Sequence, residues 1–255
     1  MLDFDENYLK GFEFDETGRV KSFRGYEVFG FKKCEKHGEY PSYYGDEVSH
    51  WPIKCGCPKC AKAALVEQRL QTAMIPPRFL PKTFGNFETK EQWQKEAKKR
   101  VQALAVNFPE TLNNGVCLTL LGTPGTGKTH LACAYANAVI SQGYTALFAS
   151  VSKVIRAIRS SWGTFSTGSE DSAYSNFVDV DLLILDEVGV QAGSENEQQI
   201  IFNIINERYN AVKPTVIISN KDREGVKKYL GERVWDRLKE NGGICLNFNA
   251  GSYRK

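Results

Sequence analysis

An apolar run, Val116-Cys117-Leu118-Thr119-Leu120-Leu121, passes directly into Gly122-Thr123-Pro124-Gly125-Thr126-Gly127-Lys128-Thr129, and a helical pattern follows over residues 128–142, closed by Gly143. The octet fits GxxxxGK[ST] in the strand, loop and helix setting that gives the pattern its meaning. Its glycines remove side chains where successive N–H groups must turn inward. The loop therefore forms a concave nest for phosphate oxygens, with the positive end of a helix dipole behind it. Lys128 is placed to reach the terminal phosphates of a nucleotide such as ATP, and Thr129 offers a hydroxyl to Mg²⁺. Such a loop works only between a buried strand and a helix, so it constrains the surrounding fold more than any other short stretch of the chain.

The sequence after the loop meets that constraint. Apolar strand patterns at 145–149, 181–186, 215–219 and 244–248 alternate with helical patterns near 152–161, 196–210 and 231–240. This alternation predicts an α/β fold with a mostly parallel, doubly wound sheet. Leu182-Leu183-Ile184-Leu185 ends on Asp186-Glu187, and a carboxylate at the end of a buried strand is costly without compensation. A metal resolves the cost. Asp186 is expected to hold Mg²⁺, Glu187 to polarise the water that attacks the γ-phosphate, and Asn220, after Val216-Ile217-Ile218-Ser219, to align that water.

The first third of the chain has a different character. Residues 1–62 are rich in Gly, Tyr, Phe and charge, with short alternating runs such as residues 24–31 that predict small strands and turns. Four of the seven cysteines, Cys34, Cys55, Cys57 and Cys60, cluster here. Cys34-x₂-His37 and Cys57-Pro58-Lys59-Cys60 supply two close ligand pairs with the spacing of a structural Zn²⁺ site, and Cys55 and His50 are further candidates. A helical pattern over 58–72 ends before Ile75-Pro76-Pro77-Arg78-Phe79, where two prolines impose an extended linker. The expected division is therefore 1–75, a zinc-binding, partner-docking domain, and 76–255, a nucleotide-binding domain. Within the latter, Thr89 is the expected cap of a helix whose buried face carries Trp93, Ala97, Val101, Leu104 and Phe108.

Charge and hydropathy narrow the setting. Thirty-three basic against 30 acidic residues give +3, so any nucleic-acid contact must be local rather than a property of the whole surface. No apolar run approaches the roughly 20 residues of a membrane span, and the acidic N-terminus lacks the order of a signal peptide, so a cytoplasmic protein with no membrane partner is expected. Trp162 and Phe165 beside Lys153, Arg156 and Arg159 suit stacking of a single strand. Lys95, Lys98, Lys99 and Arg100 read as a solvated helix face.

Over residues 76–255 these features resemble the AAA+ ATPases, a P-loop (ASCE) class, and more narrowly the DnaC and IstB group of helicase loaders and transposition helper ATPases. The narrow likeness lies in residues 184–191 (ILDEVGVQ), in 230–238 (LGERVWDRL) and in Ser252-Tyr253-Arg254. The resemblance implies that Asn220 is a sensor 1 residue, that Arg233 or Arg237 is an arginine finger completing a neighbouring subunit's site, and that Arg254 is a sensor-2-like arginine. Only 35 residues follow Asn220, too few for a full helical lid, so a truncated lid is expected. Zinc modules similar to the N-terminal one occur in phage-type relatives of that group. The implied function is an ATP-hydrolysing loader that forms an ATP-dependent homo-oligomer, binds a replicative DNA helicase and helps deliver it to single-stranded DNA. A transposition helper ATPase and a nucleotide-switched zinc adaptor with little turnover are the alternatives.

Overall fold

The computed structural model describes residues 11–17, 19–46, 48–53, 56–162, 169–190 and 194–248. Cys55, Phe165 and Ser252-Tyr253-Arg254 lie outside the described residues. The chain divides into two compact units, Met1–Gln68 and Arg69–Lys255.

In the first unit five antiparallel strands follow one another in chain order: β1 (Phe12–Phe14), β2 (Val20–Phe23), β3 (Tyr26–Cys34), β4 (Gly38–Gly45) and β5 (His50–Pro52). Arg24 and Gly25, both at positive φ, make the two-residue turn between β2 and β3 that matches the twist of a hairpin. Phe12, Phe23 and Ile53 form the small buried core, with Val20, Val28 and Tyr44 packed on it. So small a core calls for a further staple. Helix α1 (Pro58–Thr72) begins with proline at a position where the missing N–H costs nothing.

The second unit takes in the residues before the prolines. Ala73 and Ile75 are buried, and the Ala73 carbonyl accepts from Phe148 N at 2.8 Å. Pro77–Phe79 form a single 3-10 turn. Helix α2 (Gln92–Val106) is capped by Glu91 and not by Thr89: Glu91 and Gln94 exchange side-chain to backbone bonds across the first turn. The cap thus sits two residues later than the sequence pattern suggests. Ala97, Val101 and Leu104 are buried as expected, but Phe108 opens a separate short helix, α3 (Phe108–Asn113), with Pro109 in its first turn.

The sheet of this unit consists of β6 (Leu118–Gly122), β7 (Ala146–Ser150), β8 (Leu182–Asp186), β9 (Thr215–Ser219) and β10 (Ile244–Phe248). All neighbours are parallel, in the order β10-β6-β9-β8-β7. The strands are nearly continuous apolar runs because helices cover both faces. Helices α4 (Lys128–Ser141), α5 (Val151–Ser160), α6 (Glu170–Val178) and α7 (Glu195–Asn210) connect them, and Val154, Ile155 and Ile158 of α5 meet Ile200, Ile201, Ile204 and Ile205 of α7 in the main core. Two short helices, α8 (Arg223–Leu230) and α9 (Glu232–Lys239), separate β9 from β10. The order inserts β9 between the loop-bearing β6 and the acid-bearing β8. The carboxyl ends of these three strands therefore lie side by side, at the switch point where α/β sheets bind ligands.

Candidate functional site

Three glycines of the loop, Gly122, Gly125 and Gly127, have φ of 121°, 79° and 98°. At Gly127 a Cβ would also fall 2.9 Å from Phe87 Cε2, so both conformation and space exclude a side chain there. Lys128 is 4% exposed and its Nζ donates to the carbonyls of Gly122 (2.7 Å) and Thr123 (2.8 Å). Thr126 Oγ1 donates to the Thr123 carbonyl at 2.8 Å. Thr123 itself, exposed beside Pro124, donates from N (3.1 Å) and Oγ1 (3.2 Å) to the Phe248 carbonyl at the end of β10. The loop is thus closed around the lysine ammonium, a cation held where anionic oxygens can replace the carbonyls.

Thr129 Oγ1 lies 3.3 Å from Asp186 Oδ2 although the two are far apart in sequence. Adjacent oxygens around octahedral Mg²⁺ at its ~2.1 Å bond length stand ~3 Å apart, so this pair has the spacing of a Mg²⁺ edge. Burial pushes the Asp186 carboxyl above its ordinary range, against a lowering contribution from the Glu187 backbone N–H at 2.8 Å. A buried acid that resists ionising is one that a bound cation relieves. Glu187 adopts φ 64°, a strained backbone for a non-glycine residue, and lines a small recess with Ser152, Ile155, Val190, Glu197 and Tyr229. The acid turn is fastened to the next strand: Val188 N donates to the Ile218 carbonyl, and Ser219 Oγ to the Val188 carbonyl at 2.6 Å. Asn220 follows at the exposed end of β9.

A feature that sequence reasoning missed runs over residues 80–87. Asn137 Nδ2 on α4 donates to the carbonyls of Leu80 (3.0 Å) and Lys82 (2.8 Å). His130 Nε2, one residue after Thr129, lies 3.2 Å from the Thr83 carbonyl and 3.0 Å from Asn86 Oδ1. Burial lowers the His130 pKa, favouring the neutral ring, which donates from Nε2. Phe87 packs edge-on against that ring with centroids 5.1 Å apart. The signal was the turn-forming Pro81, Gly85 and Asn86, legible as a loop but not as a strap across the loop helix.

The two candidate finger arginines differ. Arg237 donates to Asn206 Oδ1 and sits 4.9 Å over the Tyr209 ring. Arg233 is exposed. The acids near it have other partners: Glu232 pairs with Lys227 at 2.9 Å, Asp236 with Lys239 at 3.0 Å, and Glu240 accepts from Tyr209 OH. Val234, Trp235 and Leu238 are the buried residues of α9.

In the first unit the ligand atoms of Cys34, His37, Cys57 and Cys60 all lie within 4.8 Å of one another. Individual separations are 3.7 Å for Cys34 Sγ to Cys60 Sγ, and 3.7, 3.5 and 3.2 Å from His37 Nδ1 to the sulfurs of Cys34, Cys57 and Cys60. Zn–S bonds of ~2.3 Å and Zn–N bonds of ~2.0 Å set tetrahedral edges of ~3.5–3.8 Å, so three of the four distances match and the fourth is slightly short. The Lys36 backbone N–H, aided by that of His37, holds the Cys34 thiol down at about 6, and hydrogen bonding to Cys34 pushes Cys60 up to about 11. His50 is elsewhere, edge-on to Phe29 at 4.4 Å.

Trp162 is 44% exposed, so it is not a core residue. Lys153 and Arg156 are exposed on α5, while Arg159 pairs with Glu197 at 3.2 Å. Lys95 and Lys99 are exposed, Lys98 is half-buried, and Arg100 pairs with Glu96 at 3.1 Å along α2. Among the described residues no helix is long and apolar enough to cross a membrane.

Residues 62–255 match the family described as IstB-like ATP binding protein. The replicative helicase loader DnaC of Escherichia coli (strain K12) is 30% identical over 82% of this chain and 86% of its own length. That of Buchnera aphidicola subsp. Baizongia pistaciae (strain Bp) is 32% identical over 76% of this chain and 78% of its own. Among solved structures, a crystal structure of the DnaC helicase loader superposes with a TM-score of 0.60 at 25% identity, covering 68% of this chain and 99% of that one.

Proposed function

The chain belongs to the IstB-like ATP-binding protein family, and on that premise we propose that it is an ATP-hydrolysing loader that binds a replicative DNA helicase ring in the cytoplasm and helps place it on single-stranded DNA. The observation that carries the ATPase half of this reading is the 3.3 Å approach of Thr129 to Asp186 beside the loop that encloses Lys128. The loader half is supported by relatives named replicative helicase loader DnaC over most of their length.

In this reading the loop N–H groups of residues 122–127 seat the phosphates, and Lys128 exchanges its two carbonyl partners for phosphate oxygens. Thr129 and Asp186 hold Mg²⁺, which offsets the charge that develops on the transferring phosphoryl group. Glu187 orients the attacking water, Asn220 steadies it, and Arg254 completes the nucleotide's surroundings. Arg233, exposed and with Glu232, Asp236 and Glu240 bonded to other partners, is the better placed of the two arginines to reach a neighbouring subunit's nucleotide in an ATP-dependent homo-oligomer. Cys34, His37, Cys57 and Cys60 hold one Zn²⁺ that fixes the helicase-docking domain, residues 1–75, and residues 76–255 form the ATPase domain. Trp162, with Lys153 and Arg156, contacts the strand.

The test is co-purification of the full chain with its host's replicative helicase, with ATP and with ADP, alongside ATP turnover. Lys128→Ala should lose nucleotide binding, and Glu187→Gln should keep ATP but not hydrolyse it. Equal turnover in wild type and Glu187→Gln refutes the catalytic assignment. Failure to bind any replicative helicase, with capture of a transposase instead, transfers the protein to the transposition reading.

A further inference from the structure

The pleat of the N-terminal sheet sorts its side chains sharply. Phe12 pairs with Phe23, which pairs with Tyr26; Val28 pairs with Tyr44, which pairs with Trp51; Lys32 pairs with Tyr40. These rungs alternate with others and so share one face. Glu13, Ser22 and Glu27 form a rung of the opposite face, as do Lys33 and Glu39. Among the described strand residues every glutamate, Glu13, Glu27 and Glu39, therefore stands on the face away from the Phe12, Tyr44 and Trp51 rings.

That face, without a carboxylate among the described strand residues, buries Phe12 and Phe23 and is aromatic and open to solvent at its margin. Phe14, Tyr26 and Trp51 are 46%, 43% and 41% exposed. Ring centroids run continuously across it: Phe12 to Phe14 at 6.3 Å, Phe12 to Phe23 at 4.5 Å, Phe23 to Tyr44 at 4.6 Å, Tyr44 to Trp51 at 5.6 Å and Tyr26 to Trp51 at 5.8 Å. The Arg24 guanidinium lies 5.3 Å from the Phe23 ring, and Lys32, exposed, belongs to the Tyr40 rung of the same face. Exposed rings and cations at the margin, with no carboxylate among the described strand residues of that face, are the complement of unpaired bases on a phosphate backbone, since every base offers a π-face and every linkage an anion. We propose that this face of the N-terminal sheet is a single-stranded nucleic-acid binding surface, with Tyr26 and Trp51 as base-stacking platforms and Lys32 and Arg24 as phosphate partners. It is independent of the nucleotide site and additional to the contact assigned above to Trp162.

The experiment uses the full zinc-loaded chain carrying Trp162→Ala, so that loss of the other assigned contact is already built in. Binding of a fluorescein-labelled oligothymidylate of about 16 nucleotides is followed by anisotropy without added nucleotide. Each platform supports one base at ~1–3 kcal/mol, on the order of tenfold in affinity per ring. Tyr26→Ala with Trp51→Ala should therefore weaken binding on the order of a hundredfold, whereas Tyr26→Phe with Trp51→Phe should stay near the parent. Phe31→Ser, on the opposite face and 59% exposed, should leave affinity unchanged. Should the double alanine variant lose its zinc or its circular dichroism, Lys32→Glu decides, because a carboxylate on this face should lower affinity severalfold without removing a ring. Unchanged affinity in the folded double variant, or in Lys32→Glu where that variant decides, overturns the proposal. So does an equal loss with Phe31→Ser, or retention of oligothymidylate binding with loss of helicase binding, which makes the face a protein-docking surface.

Discussion

Arg208 is fully buried on α7, and its guanidinium is met by carbonyl and hydroxyl oxygens. It donates to the carbonyls of Phe177 (3.0 Å), Val178 (2.9 Å), Val180 (2.8 Å), Asp181 (3.3 Å) and Pro214 (2.6 Å), and to Thr215 Oγ1 (3.0 Å). Burial draws its pKa down to about 10, which leaves it charged at neutral pH. The acceptors are the end of α6, the entry to β8 and the start of β9, so one side chain fixes where the acid-bearing strand begins. Six charge-assisted bonds at ~1.5–3 kcal/mol each overstate the effect, because desolvating the guanidinium opposes them. Arg208→Met removes the charge and strands several buried acceptors at ~1–3 kcal/mol for each left unsatisfied, so a loss of ~3–5 kcal/mol is expected. For a unit of this size the melting temperature should fall by ~6–20 °C. Arg208→Lys, with three donors on one atom, should lose an intermediate amount. Urea unfolding and thermal melts of the nucleotide-free protein measure both. A loss below ~1 kcal/mol for Arg208→Met shows that the carbonyls find water as readily as guanidinium, and the account of β8 placement fails.

Two further outcomes follow from the other sites. Inductively coupled plasma mass spectrometry of the full chain should find one zinc, reduced by Cys57→Ser; chelation should remove the N-terminal transition from a thermal scan, since structural zinc contributes ~10 kcal/mol or more to folding, and ATP binding should persist. Metal-free protein with both transitions intact contradicts the site. Mixing Arg233→Ala subunits with Lys128→Ala subunits should restore part of the ATP turnover that each lacks alone, whereas Arg237→Ala, which cuts a bond to Asn206 within its own chain, should mainly lower stability; complementation by Arg237→Ala and not by Arg233→Ala reverses the assignment.

What was legible in the sequence is what is local. The octet at 122–129, the five strands of the sheet and the carboxylates ending β8 each announce themselves within a few residues, because a phosphate nest needs glycines and a doubly covered strand needs an unbroken apolar run. What was not legible is what neighbours in space decide. Nothing around Arg208 in the sequence marks it as buried; β9 and the end of α6 close around it only in the fold. Arg233 and Arg237 are equivalent by spacing, and only Asn206 and Tyr209, a helix away, distinguish them. Helices α3, α6 and α8 are short, of six, nine and eight residues, and too little of any periodic pattern survives over such lengths. Thr89 is the residue type that favours a cap, yet Glu91 takes the position because Gln94 supplies the reciprocal bond to its backbone.

The geometry around the first turn of α4 also bears on how a nucleotide can be sensed. Gly127, Lys128, Thr129 and His130 face four different structures within that one turn: Phe87, the loop carbonyls, Asp186 and the Thr83–Asn86 strap. Thr123 adds a fifth connection, to the Phe248 carbonyl, a few residues ahead of Arg254. When Lys128 gives up the Gly122 and Thr123 carbonyls for phosphate, those two acceptors must be satisfied again by small shifts of the same loop. Such shifts reach the strap through His130, which is bonded to Thr83 and Asn86 one residue after Thr129, and the C-terminal strand through Thr123. In the ATP-hydrolysing loader proposed above, occupancy of the loop would therefore pass through direct bonds to both the segment that precedes the sheet and the strand that ends it.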